Sequence, residues 1–212
     1  MELFRKDSRR ARPDDGSPEL TRREAWHAVA AALEGKCVEG ARPRKDEAVF
    51  QHLGWTIVLD TYTVSNGQTS VTFTRIRAPF TGSDDFKLTV ARRTWLSRFD
   101  IVLRARSIKV GNRMFDEKYV TRTNNEGRAR SFLNSSEVRA LIMVQPSLRL
   151  EIRRPSWSRR RKLSEDARDV IVRTTGVVTD PERLENYVML VAHTLDQLLR
   201  IGSASAAPVK RG

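Results

Sequence analysis

The residues of this chain best suited to chemistry are a run of cations around one tryptophan. They lie in the loop 153–163 and are Arg153, Arg154, Trp157, Arg159, Arg160, Arg161 and Lys162. Cationic side chains bind phosphate groups, while an indole lies at the headgroup level of a bilayer or stacks on a nucleic-acid base. The loop therefore predicts an anionic partner, either a lipid surface or single-stranded nucleic acid. In a structural interpretation that stays open, Trp157 folds back onto its hairpin and the arginines are only solvated.

The positive charge of the chain is concentrated in two segments. The 212 residues carry a formal net charge of +13. Residues 86–130 contain 12 Lys and Arg against four acidic residues, and residues 149–162 contain seven against one Glu. Because the remainder is close to neutral, the distribution indicates one basic face or loop rather than a uniformly basic protein. Arg supplies 31 of the 39 cations; it suits bidentate phosphate binding, although a GC-rich genome produces the same excess.

Residue patterns typical of enzymes are missing from this sequence. His27, His52 and His193 are far apart, and none has a second ligand at metal-binding spacing. The single Cys37 is typical of a small buried residue, and an acid such as Asp116 is more often a turn or capping acceptor than a catalyst. We therefore predict a non-enzymatic protein with no catalytic residues, no metal site and no cofactor.

Composition also bears on the location of the protein. No apolar run approaches the roughly 20 residues that span a bilayer, and the N-terminus has no apolar stretch typical of a secretory signal. One cysteine cannot form an internal disulfide, which agrees with a reducing compartment. We therefore expect a cytoplasmic protein.

The ends of the chain contrast with its centre. Residues 1–16 and 203–212 lack apolar periodicity and are predicted to be disordered tails around a single domain, 17–202. The domain begins with a helix that starts at Ser17 and stops at Gly35, and whose apolar residues recur on one face.

A hairpin follows this helix. Two segments with a period of two, 55–64 and 69–78, flank Asn66-Gly67, which is the strongest short-range signal for a two-residue hairpin loop. In that register Tyr62 is opposite Val71, and Asp60 lies on the same face as Arg75, two residues away. Pro79 is predicted to end the second strand.

The middle of the chain alternates short strands with short helices. The predicted elements are a strand around 86–90, a helix over 95–103, strands at 107–110 and 115–121, a helix at 126–133 and a second helix that carries Val138, Leu141 and Ile142. The second helix of the final pair is predicted to begin with a capping box between Asn134 and Glu137, and Pro146 stops it.

A second hairpin and a long helix complete the domain. Alternating residues at 148–152 and 170–173 predict strands joined by the long tip 153–168. The helix starts at Asp180-Pro181 and ends at Gly202, and its about twenty residues span roughly 30 Å. A helix of that length over a curved sheet suggests a cavity beneath it, so a carrier of a small apolar ligand is the alternative function.

These elements together define the fold class. We predict an α+β protein with an antiparallel sheet of about six to eight strands. An N-terminal helix, a mid-chain helix pair and a long C-terminal helix are expected to pack on it. No internal repeat and no linker divides the chain, and its oligomeric state stays open.

Three stretches resemble an uncharacterised family of bacterial cytoplasmic proteins. The similarity lies in Leu59–Phe80, in Val110–Tyr119 with the following Asn-Asn, and from Gly176 to Ala204. The resemblance covers nearly all of 20–204 and implies no activity, cofactor or catalytic residues, because the family has none assigned. Its members have a less basic tip at 153–168, which implies that the basic loop is specific to this protein.

Overall fold

The computed structural model describes residues 20–40, 46–65, 67–93, 107–156, 163–207 and 209. The strands are β1 Lys36–Val38, β2 Glu47–His52, β3 Trp55–Ser65, β4 Ser70–Gly82, β5 Leu88–Arg92, β6 Tyr119–Thr123, β7 Arg149–Arg153, β8 Ala167–Thr175 and β9 Ala204–Ser205. The helices are α1 Arg22–Ala32, α2 Arg113–Lys118, α3 Glu126–Leu133, α4 Ser136–Met143 and α5 Pro181–Arg200.

All nine of these strands form one antiparallel sheet. Their order is β1-β2-β3-β4-β8-β7-β5-β6, and β9 pairs with the end of β4. The α+β class, the N-terminal helix α1, the mid-chain pair α3 and α4 and the long helix α5 are confirmed. β9 lies within the segment 203–212 that the sequence predicts as a tail, and Ser203 and Ala204 are buried there.

The first hairpin has the predicted strands but a longer loop. Ser65 pairs with Ser70, so residues 66–69 form a four-residue connection. The predicted two-residue register was wrong by two positions: Tyr62 is opposite Phe73 rather than Val71. Since side chains alternate with a period of two, this shift leaves every residue on its predicted face. Asn66 itself lies outside the described residues.

Pro79 does not end β4, contrary to the prediction. The strand continues to Gly82, with Pro79 opposite Asp169 of β8. Pairing with β3 ends at Arg77, and β9 pairs only from Thr81 onward. Pro79 therefore lies where β4 lacks a neighbour on one side, and a residue without an N–H is tolerated at such a position.

The structure of the segment before β6 differs from the sequence prediction. Residues 113–118 form the helix α2 instead of a strand, because the Asn112 side chain accepts a hydrogen bond from Phe115 N and caps the helix. Only 119–121 of the predicted strand are extended. In the predicted strand 107–110, Ile108 makes a single bridge to Thr121. The strands β1 and β2 had no sequence prediction, and the predicted helix 95–103 lies outside the described residues.

The helix starts are set by side-chain caps. In α1 the Thr21 hydroxyl accepts from Glu24 N and the Glu24 carboxylate accepts from Thr21 N, a complete capping box. The predicted start at Ser17 lies outside the described part of the chain. The cap of α4 is Ser135, which accepts from Val138 N, so the predicted cap Asn134 was wrong by one residue.

The core lies between the sheet and its helices. Trp26 of α1, Phe132 of α3, Ile142 of α4 and Leu195 of α5 belong to the same buried cluster as Ile76 of β4. The C-terminal helix is capped by Asp180, as the sequence predicts, and is packed along β3, β4 and β8. Among the described residues, no helix is long and apolar enough to cross a membrane.

Candidate anion-binding surface

The two faces of the sheet differ in chemistry. On one face, alternate residues such as Leu59, Ile76 and Val172 are fully buried beneath the helices. The residues between them point to the opposite face, which has its own small buried cluster of Ala91 and Val120. Strands β4, β8 and β7 place five arginines on this opposite face. We call it the arginine face, and its residues are Arg75, Arg77, Arg149, Arg153 and Arg173.

Three of these arginines form a row across neighbouring strands. Arg75 on β4 is directly opposite Arg173 on β8, and Arg173 is directly opposite Arg149 on β7. Neighbouring strands are about 4.8 Å apart, so the three side chains leave the sheet side by side. Like charges directly opposite each other destabilise a sheet. The row therefore needs counter-charges or a partner.

Asp60 neutralises one end of the row. Its carboxylate accepts two hydrogen bonds from Arg75, Nε at 2.8 Å and Nη2 at 2.6 Å, and one from Arg77 Nε at 3.1 Å. The sequence places Asp60 and Arg75 on one face, two residues out of register, and the structure places them directly opposite each other. Burial lowers the pKa of Arg75, but the hydrogen bonds and the charge of Asp60 outweigh it and raise the pKa, so this guanidinium is held charged.

Glu151 neutralises the other end. Its Oε1 lies 2.9 Å from Arg149 Nε and 3.4 Å from Arg173 Nη2, and its Oε2 lies 3.6 Å from Arg153 Nε. The single carboxylate of Glu151 thus forms ion pairs with three guanidiniums. The Nε of Arg173 is buried and has no hydrogen-bond partner among the described residues.

Aromatic rings border the row. Tyr62 and Phe73 are opposite each other and stack at 5.2 Å with an interplanar angle of 18°. The guanidinium of Arg75 lies over the Tyr62 ring at 4.7 Å, and Arg173 Nη1 donates to the Tyr62 hydroxyl at 3.1 Å. These contacts fix the orientation of two arginines of the row.

Two of the seven predicted site residues are described. Arg153 ends β7 on the arginine face, with an exposed side chain. Arg154 is also exposed, and by alternation it points to the other side of the strand, near the buried Arg168. Burial and the charge of Arg154 lower the pKa of Arg168, and the charges of nearby acids oppose them. Trp157, Arg159, Arg160, Arg161 and Lys162 lie outside the described residues.

The first basic segment, 86–130, reaches the arginine face only in part. Arg122 of β6 is opposite Thr89 of β5, which is opposite Glu151, so Arg122 shares the face. Lys87 directly precedes β5 and by alternation lies beside Arg153. The two basic segments therefore meet along this edge.

Most other described cations of the segment make structural contacts. Arg92 donates to the carbonyl of Gln145, and Arg93 donates to the carbonyls of Asp116 and Glu117. Arg128 is bonded to Ile201 O and Ser203 Oγ. An open cleft beside α2 is lined by Arg93, Lys109, Gly111, Arg113, Asp116 and Glu117. Asp116 accepts from the backbone N–H groups of Val110 and Gly111, so in this cleft it holds the turn before α2.

The histidines and the cysteine occupy separate places. His27 is exposed, and His52 pairs with Asp196 of α5 at 2.8 Å. Cys37 is half-buried; burial raises the pKa of its thiol, and nearby Asp46 and Glu39 raise it further. In the part of the chain that the structure describes, no group of three or more His, Cys, Asp or Glu could hold a metal ion.

The face of α5 toward the sheet is filled by side chains. Tyr187, Leu190, Leu195 and Leu198 are fully buried in the core cluster, and the Tyr187 hydroxyl donates to Ser147 O at 2.9 Å. The cleft beside α2 and a small cavity between α1 and β1 both lie away from this interface. Packing thus favours a surface site over a ligand cavity under α5.

Sequence reasoning missed three members of the arginine face. Arg75, Arg77 and Arg173 lie outside the two basic segments, in stretches whose summed charge is near zero. The signal that finds them is alternation: each occupies a position between buried residues of its strand. Their assembly into a row depends on the pairing of β4 with β8, which the sequence did not predict.

Comparisons with known proteins identify the fold but no activity. No protein-family model and no curated protein matches the chain, which is consistent with the resemblance to a family without an assigned activity. The crystal structure of the mycobacterial trehalose monomycolate transport factor A, TtfA, is similar, with a TM-score of 0.51 and 9% sequence identity. The alignment covers 87% of this chain and 97% of that chain. At this identity the similarity shows a common fold alone.

Proposed function

We propose that the protein is a non-enzymatic binding module that holds an anionic, phosphate-bearing partner on its arginine face. The observation that carries this proposal is the row of Arg75, Arg173 and Arg149 on three adjacent strands. Asp60 and Glu151 relieve the repulsion within the row, and the guanidiniums remain partly exposed to solvent. A partner with closely spaced phosphates gains bidentate hydrogen bonds from guanidiniums that are already held side by side.

The depth of the acidic and basic groups below the surface of the arginine face also supports an anionic partner. The Asp60 and Glu151 side chains are only 8% and 9% exposed, whereas Arg75, Arg173 and Arg149 of the row are 30%, 27% and 17% exposed. The carboxylates thus lie beneath the guanidiniums, whose outer edges face solvent. A partner approaching this face meets positive charge first.

The basic loop extends this surface in the proposal. Arg153 belongs to the arginine face, and the chain continues from it into Arg154, Trp157, Arg159, Arg160, Arg161 and Lys162. On sequence grounds, these cations add phosphate contacts and the indole adds a contact with a lipid headgroup region or a base.

A carrier of a small apolar ligand is the alternative. The fold that this chain shares with a trehalose monomycolate transport factor is compatible with either a carrier or a binding role. The filled interface between α5 and the sheet favours surface binding. Native mass spectrometry of the protein purified from its host tests the alternative, which requires a copurifying ligand.

A salt series tests the proposed function. Binding is measured to inorganic polyphosphate, to a single-stranded oligonucleotide and to phosphatidylserine vesicles, for the wild type and for the triple variant R149Q/E151Q/R173Q. The triple variant removes two cations of the row together with the carboxylate that would be left unpaired. We expect weaker binding and a slope of log K against log salt that is smaller by about 2.

The matched control is R113Q. The triple variant and R113Q each lower the net charge by the same amount, but Arg113 is 91% exposed on α2 and belongs to none of the strands that carry the arginine face. We expect its binding and salt slope to match the wild type. If the triple variant does not fold, R153Q replaces it, since this side chain on the arginine face is 44% exposed and its loss lowers the net charge as R113Q does. No binding of the wild type to any probe at low salt, or equal binding by the triple variant and R113Q, overturns the proposal.

A separate variant tests whether the basic loop 153–163 contributes to binding. Changing Arg159, Arg160, Arg161 and Lys162 to Ser removes four cations without altering β7 or β8. We expect a lower salt slope than for the wild type. If the slope of log K against log salt is unchanged, the four loop cations do not contact the partner, and the site is confined to the sheet.

A further inference from the structure

We infer that the partner of the arginine face is an anionic lipid bilayer, and that the tip of the β3–β4 hairpin enters its headgroup region. This inference rests on the proposed function and names its partner. The observations that carry it are exposed apolar side chains beside the row of arginines.

The hairpin tip presents a pair of valines to solvent. Val64 and Val71 are directly opposite each other and are 54% and 39% exposed. Val64 is four residues from Asp60, and Val71 is four residues from Arg75, so alternation places both valines on the arginine face. The other side of the tip is polar, where the hydroxyls of Thr63 and Thr72 are 2.9 Å apart.

The side chains form layers along the hairpin. Behind the valines lie Tyr62 and Phe73, and behind these lies Arg75 with the rest of the row. Arg75 is four residues further along the strand than Val71, or about 13 Å at roughly 3.3 Å per residue. A bilayer surface has the same order: an apolar boundary buried about 5–10 Å, a level that favours tyrosine, and phosphates that attract arginine.

A third exposed valine lies on the same face. Val38 of β1 is 54% exposed and is opposite Glu47, whose carboxylate is 3.3 Å from Arg77 Nη2 on the arginine face. Apolar contacts therefore flank the arginines at the hairpin tip and toward the β1 edge of the sheet, as a broad surface requires.

The aromatic rings favour a bilayer over nucleic acid. A base stacks on the open face of an aromatic ring. Tyr62 and Phe73 stack on each other, and Arg75 lies over Tyr62, so Tyr62 has two ring contacts and Phe73 has one face occupied. Exposed valines offer a base no hydrogen bond, whereas their transfer into a lipid interface is favourable.

Vesicle binding by a tip variant tests the inference. The double variant V64S/V71S keeps every cation and removes the apolar tip. We expect about tenfold weaker binding to phosphatidylserine vesicles, because two apolar contacts are lost. Binding to polyphosphate should stay as in the wild type. The control V144S/L199S changes two apolar residues of similar exposure, 63% and 39%, on the helices, and should bind vesicles like the wild type.

A fluorescent probe places the tip directly. The single natural thiol is removed by C37S, and a cysteine is introduced by V71C or, as a control, by V144C. Each carries an environment-sensitive dye. We expect a blue shift with phosphatidylserine vesicles for V71C only, and no shift with phosphatidylcholine vesicles.

The outcomes separate this inference from the proposed function. If polyphosphate or the oligonucleotide binds and R149Q/E151Q/R173Q weakens it, but vesicles do not bind, the bilayer is wrong and the proposed function stands. If no probe binds, both fall. If V64S/V71S converts a dimer into a monomer on size exclusion and leaves vesicle binding unchanged, the tip joins two copies of the chain and the inference is overturned.

Discussion

The carboxylates of Asp60 and Glu151 pair with the five arginines of one face of the sheet, where Asp169 of β8, directly opposite Arg153, adds a third buried carboxylate. Asp60 and Glu151 each accept hydrogen bonds from two guanidiniums: Asp60 from Arg75 and Arg77 of β4, and Glu151 from Arg149 of β7 and Arg173 of β8. A buried carboxylate is costly unless it is paired, and a guanidinium row repels itself unless it is neutralised. The carboxylates thus reduce the repulsion between the guanidiniums, and the guanidiniums offset the cost of burying the carboxylates. The excess positive charge faces solvent.

Asp60→Asn tests this coupling at the scale of one residue. The change keeps the size of the side chain but leaves Arg75 and Arg77 without their shared anion. We expect the free energy of unfolding in urea to fall by about 2 kcal/mol.

The control for Asp60→Asn is Glu117→Gln. Glu117 pairs with Arg113 across one turn of α2, where both side chains are largely exposed. Its loss should cost below about 0.5 kcal/mol. Equal losses for the two variants would mean that the Asp60 cluster contributes no more than a surface ion pair.

At the scale of elements, local patterns predict most of the structure. The capping signals of α5, the alternation of β7 and β8 and the apolar face of α1 are short-range, and each was recognised from the sequence. Residues 113–118 were missed because Phe115 and Tyr119 fit an alternating pattern as well as a helical one. The Asn112 cap decides between the two, and it competes with other turn signals around Gly111.

The start of α4 offers a test of capping. Ser135 accepts the hydrogen bond from Val138 N, while Asn134 ends α3 and is exposed. We expect Ser135→Ala to lower the free energy of unfolding by about 1 kcal/mol, and Asn134→Ala to change it by less than half of that. Urea unfolding of both variants measures the difference. If Asn134→Ala lowers the free energy of unfolding more than Ser135→Ala does, Asn134 is the cap of α4, as the sequence predicts.

At the scale of the molecule, the candidate site depends on a contact between distant parts of the chain. β4 and β8 are paired although a stretch of more than eighty residues separates Gly82 from Ala167. The sequence predicts each hairpin, but no local pattern states which strand of one hairpin meets which strand of the other. The faces of Arg75 and Arg173 are therefore predictable, whereas their row is not. Among the described residues, the helices α1, α3, α4 and α5 contribute to the core on the other face of the sheet, so the row points away from them.

The long helix α5 should govern the stability of the whole sheet, since it is packed along β3, β4 and β8. Leu198 and Leu199 are adjacent on this helix, but Leu198 is fully buried and Leu199 is 39% exposed. We expect Leu198→Ala to lower the free energy of unfolding by about 3 kcal/mol, because it leaves a cavity in the core, and Leu199→Ala to lower it by less than about 1 kcal/mol. Urea unfolding followed by circular dichroism measures both. Because α5 contacts the face of the sheet opposite the arginines, the Leu198→Ala protein that remains folded should bind polyphosphate with an unchanged salt slope. A changed slope would show that packing under α5 sets the geometry of the arginine row.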